Sequence, residues 1–268
     1  MNDPNTAQAA IAKLQSQYRS DPGLAQALYE VGATFGNARQ FDKATAEFNQ
    51  VITTWPESDH AMLSKVGLGL IQVRQGDDNA AEAVYQKVLT DYASHPRLPE
   101  AINLVTEGYY SRALELETEN RSPGTTQMPP TLREVPQQVK EAFARAIDKW
   151  SSILQRFPDT PNLGPTALYF SAVSYSRQGD PVKAIEYYRA FLERWPDDER
   201  NHHVLLRLPG LYNRMVFKGV LSEQQAKPLI RAAYEKFVRE YPDSPAAEMA
   251  RQQILYCATP VEAQTHEQ

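Results

Sequence analysis

Residues 184–196 read AIEYYRAFLERWP. Ala184, Tyr188, Phe191 and Trp195 are spaced by four, three and four positions, and Pro196 follows directly. Those steps place all four side chains on one face of an α-helix. Proline lacks an N–H and disfavours helical geometry in the residue before it, so the helix must end there. The same pattern recurs as Ala44, Phe48, Val51, Trp55, Pro56 and as Ala146, Trp150, Ile153, Phe157, Pro158. Ile230, Tyr234, Phe237, Tyr241, Pro242 repeats it with Ile in the small position. Looser copies are Ala81, Tyr85, Val88, Tyr92 with Pro96, and Ala7, Ile11, Leu14, Tyr18 with Pro22. The triplets PES, PDT, PDD and PDS follow the aromatic residue in four copies and suit the N-cap of a next helix.

A second amphipathic stretch precedes most copies. In ALYEVGATF it is Leu28, Val31, Gly32, Phe35; in ALYFSAVSY it is Leu168, Ser171, Ala172, Tyr175. A small residue sits in both where two helix backbones would approach closely. Gly76-Asp77 and Gly179-Asp180 are C-cap and turn signals between the paired helices. Each unit therefore reads helix, tight turn, helix, proline. Lys65 and Gln72 fall where this pattern expects apolar residues, and Pro209 falls inside a first helix, where it predicts a kink or a late start.

This pattern resembles the tetratricopeptide-repeat (TPR) superfamily, whose unit is a helix-turn-helix with a small residue, an aromatic and a terminal proline on the second helix. The likeness covers nearly the whole chain. It implies an all-α fold, a right-handed α-solenoid over residues 1–268 as a single array, with about five helix pairs plus terminal helices. Successive small positions step by 37 from Ala7 to Ala44 and from Ala44 to Ala81, and by 38 from Ala146 to Ala184. The step of 65 from Ala81 to Ala146 marks an insertion, placed at 118–136 (TENRSPGTTQMPPTLREVP) and read as a mobile loop. A step of 46 into the last copy makes KGVLSEQQAKP a longer turn. Thr6–Ser20 carries only a second-helix pattern and Ala246–Cys257 reads as a single capping helix; either end is compatible with a cut through a longer protein. The ending YPDSPAAEMA is similar in style to bacterial cell-envelope members of the superfamily, the outer-membrane assembly lipoproteins and cell-division coordinators. That likeness implies periplasm or envelope rather than cytoplasm, although the lipid-attachment cysteine of the lipoproteins is absent near the N-terminus.

Composition narrows the function. The 268 residues are 42% hydrophobic and 23% charged, which excludes wholesale disorder. Lys and Arg number 28 against 33 Asp and Glu, a net charge of −5 that argues against nucleic acid as partner. Cys257, the one cysteine, excludes an internal disulfide and a cysteine-based zinc site. No apolar run is long enough for a transmembrane segment. His60, His95, His202, His203 and His266 lack metalloenzyme spacing, and adjacent His202 and His203 should point apart on a helix. Phosphate-loop, dinucleotide-binding and nucleophile-elbow motifs are missing. The reading is of a non-enzyme with no cofactor and no metal.

What remains is a surface. In the superfamily the first helices line the concave face, and the residues one step beyond the core stripe would face it. These are Tyr29, Ala33 and Asn37; Val66, Leu70 and Arg74; Val105, Tyr109 and Arg112; Tyr169, Val173 and Arg177; and Leu206, Gly210 and Arg214. One reading makes them a ligand groove with apolar anchors and an arginine row for carboxylates or carbonyls. The other leaves the arginines solvated and packs the aromatics on neighbouring helices. The Lys and Asn pattern that clamps a C-terminal carboxylate in some members is absent. The leading expectation is a scaffold that binds a protein or peptide partner in the concave groove. The alternative is a structural module of a larger, membrane-associated envelope assembly, touching neighbours through edges, loop or capping helix.

Overall fold

The structure, a computed structural model, describes Lys13 and residues 21–120, 134–158 and 160–258. Eleven helices and no strand occupy the described residues: α1 (Pro22–Asn37), α2 (Phe41–Thr54), α3 (Asp59–Gln75), α4 (Asp78–Asp91), α5 (Leu98–Glu119), α6 (Gln137–Arg156), α7 (Leu163–Gln178), α8 (Pro181–Arg194), α9 (Asn201–Phe217), α10 (Glu223–Glu240) and α11 (Ala247–Ala258). They pack in consecutive pairs, the architecture of an all-α solenoid of repeats. Two compact units result, Met1–Arg112 and Ala113–Gln268, with the division inside α5. The stripe in Thr6–Ser20 lies outside the described residues apart from Lys13, as do 121–133 of the expected loop. Of that loop's expected span, Thr118 and Glu119 are the last residues of α5.

The second helices end alike, for the reason their sequences suggest. Trp55, Tyr92, Phe157, Trp195 and Tyr241 are the C-cap residues of α2, α4, α6, α8 and α10, with φ between −118 and −133°. Each still donates its N–H to the carbonyl four residues back, at 2.8–3.1 Å. Two short turns follow every time. In the first copy Ser58 N–H donates to Trp55 O and Ala61 N–H to Ser58 O, both at 3.0 Å. The paired helices turn on Gly76 and Gly179, whose φ of 82° and 90° lies in the left-handed region that favours glycine. Asp77 and Asp180 then cap α4 and α8 by accepting from Ala80 N–H and Lys183 N–H at 3.0 Å.

The core of the first unit shows what the small residues do. The Phe48 ring of α2 is buried between Gly32 of α1 and Gly67 of α3. A Cβ on Gly32 would meet the ring at 2.7 Å, and one on Gly67 at 2.5 Å. In the second unit Trp150 of α6 stacks on Phe170 of α7 with centroids 5.5 Å apart, and Tyr188 and Phe191 of α8 pack around Tyr169. Burying each large side chain contributes on the order of 1.5–3 kcal/mol.

Four local expectations are corrected. Lys65 keeps its place in the stripe because its ammonium lies 4.8 Å from the Tyr92 ring centroid and 3.8 Å from Asp91 Oδ2, while its stem is half-buried. The long turn expected up to Pro228 stops at Ser222. A capping box starts α10 there, with Ser222 Oγ accepting from Gln225 N–H and Gln225 Oε1 accepting from Ser222 N–H. α9 starts at Asn201 and runs through buried Pro209 to Phe217, so it does not begin late. Of the polar triplets after the aromatics, PES supplies an N-cap in Ser58, whereas α7 and α9 begin after Asn162 and Arg200 without a side-chain cap.

The packing predicts opposite signs for two glycine substitutions. Gly67→Ala pushes a methyl into the Phe48 ring and should cost about 1–3 kcal/mol. Gly210→Ala, with nothing within 4 Å of the new methyl, should stabilise α9 by roughly 0.5–1 kcal/mol. Urea unfolding of the two variants checks both.

Candidate functional site

The first helices carry the candidate residues, and the structure divides them by burial. In the first unit Val66 and Tyr109 are buried, Tyr29, Leu70, Arg74 and Arg112 are half-buried, and Asn37 is exposed. Tyr29 lies 5.9 Å from both the Phe48 and His60 rings, and burial pushes its hydroxyl pKa up. Leu70 packs against Gly108 of α5. In the second unit Tyr169, Val173 and Arg214 are buried, and Leu206 and Arg177 are half-buried. Val66, Tyr109, Tyr169 and Val173 are thus packing residues, whereas Asn37 and Gly210 reach solvent.

Arginines at those ends hold neighbouring first helices together. Arg74 of α3 donates from Nη1 to Gly36 O at 2.6 Å and from Nη2 to Asn37 Oδ1 at 2.9 Å, both at the end of α1. Arg214 of α9 donates from Nη1 to Ser176 O at 3.1 Å, at the end of α7. Both carbonyls lie 38 residues back, one repeat length. A cation among the last carbonyls of a helix C-terminus is favourably placed in the helix dipole. Arg177 pairs with Glu117 of α5. These side chains bind carboxylates and carbonyls, as one sequence reading proposed for a ligand, but the groups bound are the protein's own.

A second set of staples was not singled out from sequence. Arg97 donates from Nε and Nη2 to both Glu100 oxygens at 2.8 Å and from Nη1 to Asp59 Oδ2 at 3.1 Å. His95 Nε2 lies 3.3 Å from Asp59 Oδ1. The Arg97 guanidinium holds the Asp59 and Glu100 carboxyls below their usual range. Arg200 plays the corresponding part in the second unit. It grips both Asp198 oxygens at 2.7–2.8 Å, donates to Thr166 Oγ1 at 3.0 Å, and lies 5.4–5.5 Å from the Phe191 and Tyr169 ring centroids. The signal available was an arginine shortly after Pro96 and Pro196, one repeat length from a polar residue on the previous first helix.

The histidine pair departs from expectation. The His202 and His203 rings lie against each other with centroids 3.8 Å apart, where divergent directions were expected. Burial, then His202 and Arg207, push the His203 imidazole pKa down. Among the described residues no three or more His, Cys, Asp or Glu side chains gather as a metal site would need. No helix among them is long and apolar enough to cross a membrane.

Residues 32–96 and 140–199 match the tetratricopeptide-repeat family model. The match supports the tetratricopeptide-repeat superfamily, with one matched segment in each compact unit. No curated protein matches the chain. Among solved structures, the chain is similar to a thermophilic tetratricopeptide-repeat protein of Thermus thermophilus, at 15% identity and TM-score 0.39 over 86% of this chain and 99% of that one. It is also similar to Pseudomonas aeruginosa pilF, at 15% identity and TM-score 0.31 over 85% and 97% of the two chains.

Removing the Arg200 staple gives a pH-dependent prediction. Its hydrogen bonds lower the Asp198 pKa. That contribution to stability is complete above the unfolded carboxyl pKa of about 3.9 and is lost as pH falls through the depressed folded value. Arg200→Ala should therefore cost about 1.5–3 kcal/mol at neutral pH. The difference from the unsubstituted protein should shrink once Asp198 is protonated, as read from urea unfolding at a series of pH values.

Proposed function

We propose that the protein is a non-catalytic scaffold that holds a segment of a partner protein against the solvent-facing sides of its first helices. The observation that carries this reading is the open stripe those helices keep after packing. On α9 it is His203, Arg207, Gly210 and Asn213, flanked by half-buried Leu206. Steps of three and four put the set on one helix face. Polar side chains beside partly covered apolar ones suit a segment that buries an apolar anchor and pairs its polar groups at the rim. The repeat family supports protein–protein interaction as the class of function.

A second reading draws on α11. Its packed face is Ala247, Ala250, Ile254 and Cys257, and its outer face leaves Met249, Leu255 and Tyr256 exposed. Such a face favours a module that meets a neighbour in a larger assembly through its capping helix. The YPDSPAAEMA ending supports a bacterial-envelope or periplasmic setting for that assembly.

One experiment separates the two. A partner is captured from the source cell and identified by mass spectrometry, and its affinity is measured with purified proteins. The scaffold reading expects Leu206→Ala combined with Arg207→Ala to weaken binding at least tenfold, with Leu255→Ser and Tyr256→Ser changing it less than twofold. The opposite pattern rejects the first-helix faces and favours the capping helix.

A further inference from the structure

Arg214 is a buried guanidinium with most of its hydrogen-bonding capacity unused. Only 9% of its surface is exposed, yet its one hydrogen bond among the described residues is from Nη1 to Ser176 O. Nε is buried without a partner, and Nη2 has no acceptor among the described residues. Among the described residues no carboxylate offsets its burial, which pushes its pKa down. A charged group in that condition is costly unless something pairs with it.

Comparison with Arg74 shows what is missing. The two arginines sit at corresponding repeat positions, and each reaches a carbonyl 38 residues back. Arg74 completes its fork on Asn37 Oδ1, 37 residues back. The residue 37 back from Arg214 is Arg177, which offers no acceptor and turns instead to Glu117. One place for an oxygen beside Arg214 is therefore unfilled by the repeat that should supply it.

Arg214 is not itself on the wall of the neighbouring hollow, and Gly179 is the residue that joins the two. Nη2 lies 3.3 Å from the point where a Cβ on Gly179 would sit. Gly179 forms part of the wall of a hollow of about 520 Å³, with Lys140, Lys218, Val182 and Val220 also on it. Lys218 Nζ donates to Gly179 O at 2.5 Å. The two acids on the same wall are already engaged: Asp180 caps α8, and Glu141 accepts from Gln137 Nε2 at 2.9 Å. Val182 and Val220 are among the exposed large hydrophobic residues of the unit.

We infer that Arg214 accepts the side-chain carboxylate of an acidic peptide residue, an Asp or Glu flanked by an apolar residue that rests on Val182 and Val220. A carboxylate oxygen takes the position that Asn37 Oδ1 takes against Arg74. The inference rests on the scaffold reading, because the acidic residue belongs to the partner segment.

The test uses the full chain labelled with ¹⁵N at arginine and two capped peptides, Ac-Gly-Val-Glu-Val-Gly-NH₂ and its Gln counterpart. The Arg214 side-chain resonance should move saturably with the Glu peptide, and the Gln peptide should bind at least tenfold more weakly. Arg214→Lys keeps the charge but loses the fork and should weaken the Glu peptide at least tenfold. Arg74→Lys, at the already completed staple, should leave its affinity within twofold. Circular dichroism confirms that both variants keep their helices. Equal binding of the Glu and Gln peptides, absence of saturable binding, or unchanged affinity in Arg214→Lys overturns the assignment. A protein that fails here but still loses its captured partner on first-helix substitution retains the scaffold function and loses only the acidic-residue site.

Discussion

The Phe48 ring has no room to spare. It is held between the backbones of Gly32 and Gly67, and a methyl group on either would overlap it. The ring therefore fixes how closely a second helix sits between the first helix of its own pair and that of the next. Neither neighbour alone encloses the ring, so a single helix pair cannot bury its own aromatic stripe. Stability in such a chain is shared between each repeat and the interfaces with its neighbours. Trp150 against Phe170, and Tyr188 with Phe191 around Tyr169, do the corresponding work in the second unit with larger surfaces.

Polar staples add direction to this apolar seam. Hydrophobic burial is indifferent to small sliding of one helix past another, whereas a forked guanidinium tied to a particular carbonyl is not. Arg74 and Arg214 tie helix ends one repeat apart, and Arg97 and Arg200 tie the loops to first helices of the previous repeat. Arginine suits the task because its planar fork can satisfy two acceptors at once. The same geometry gives binding a natural origin. Where a repeat keeps the donor and loses the acceptor, as at Arg214 with Arg177 in place of an asparagine, a partner's oxygen can complete what the chain leaves open.

Helix identity and the seam were legible because they depend on local spacing. Steps of four, three and four ending in proline locate the second helices, and Gly32 marks a close approach before any neighbour is known. The staples depend on residues about 38 positions apart, so no local window reveals them. Arg74 looks like a surface cation until the end of α1 is placed beside it. Tyr169 and Val173 fall on a stripe that the sequence reads either as ligand-facing or as packed on neighbouring helices, and they are buried; helical periodicity alone does not locate the side chains that cover them. The run before Pro228 looked like a turn because its glycine and proline outweighed the Ser222–Gln225 capping box that starts α10 early.

The dependence of each helix pair on its neighbours is tested most directly by native-state amide hydrogen exchange on the unsubstituted protein and on Phe48→Ala. Loss of the shared ring should lower protection in α1 and α3 together with α2. Loss confined to α2, with α1 and α3 as protected as before, would contradict the account.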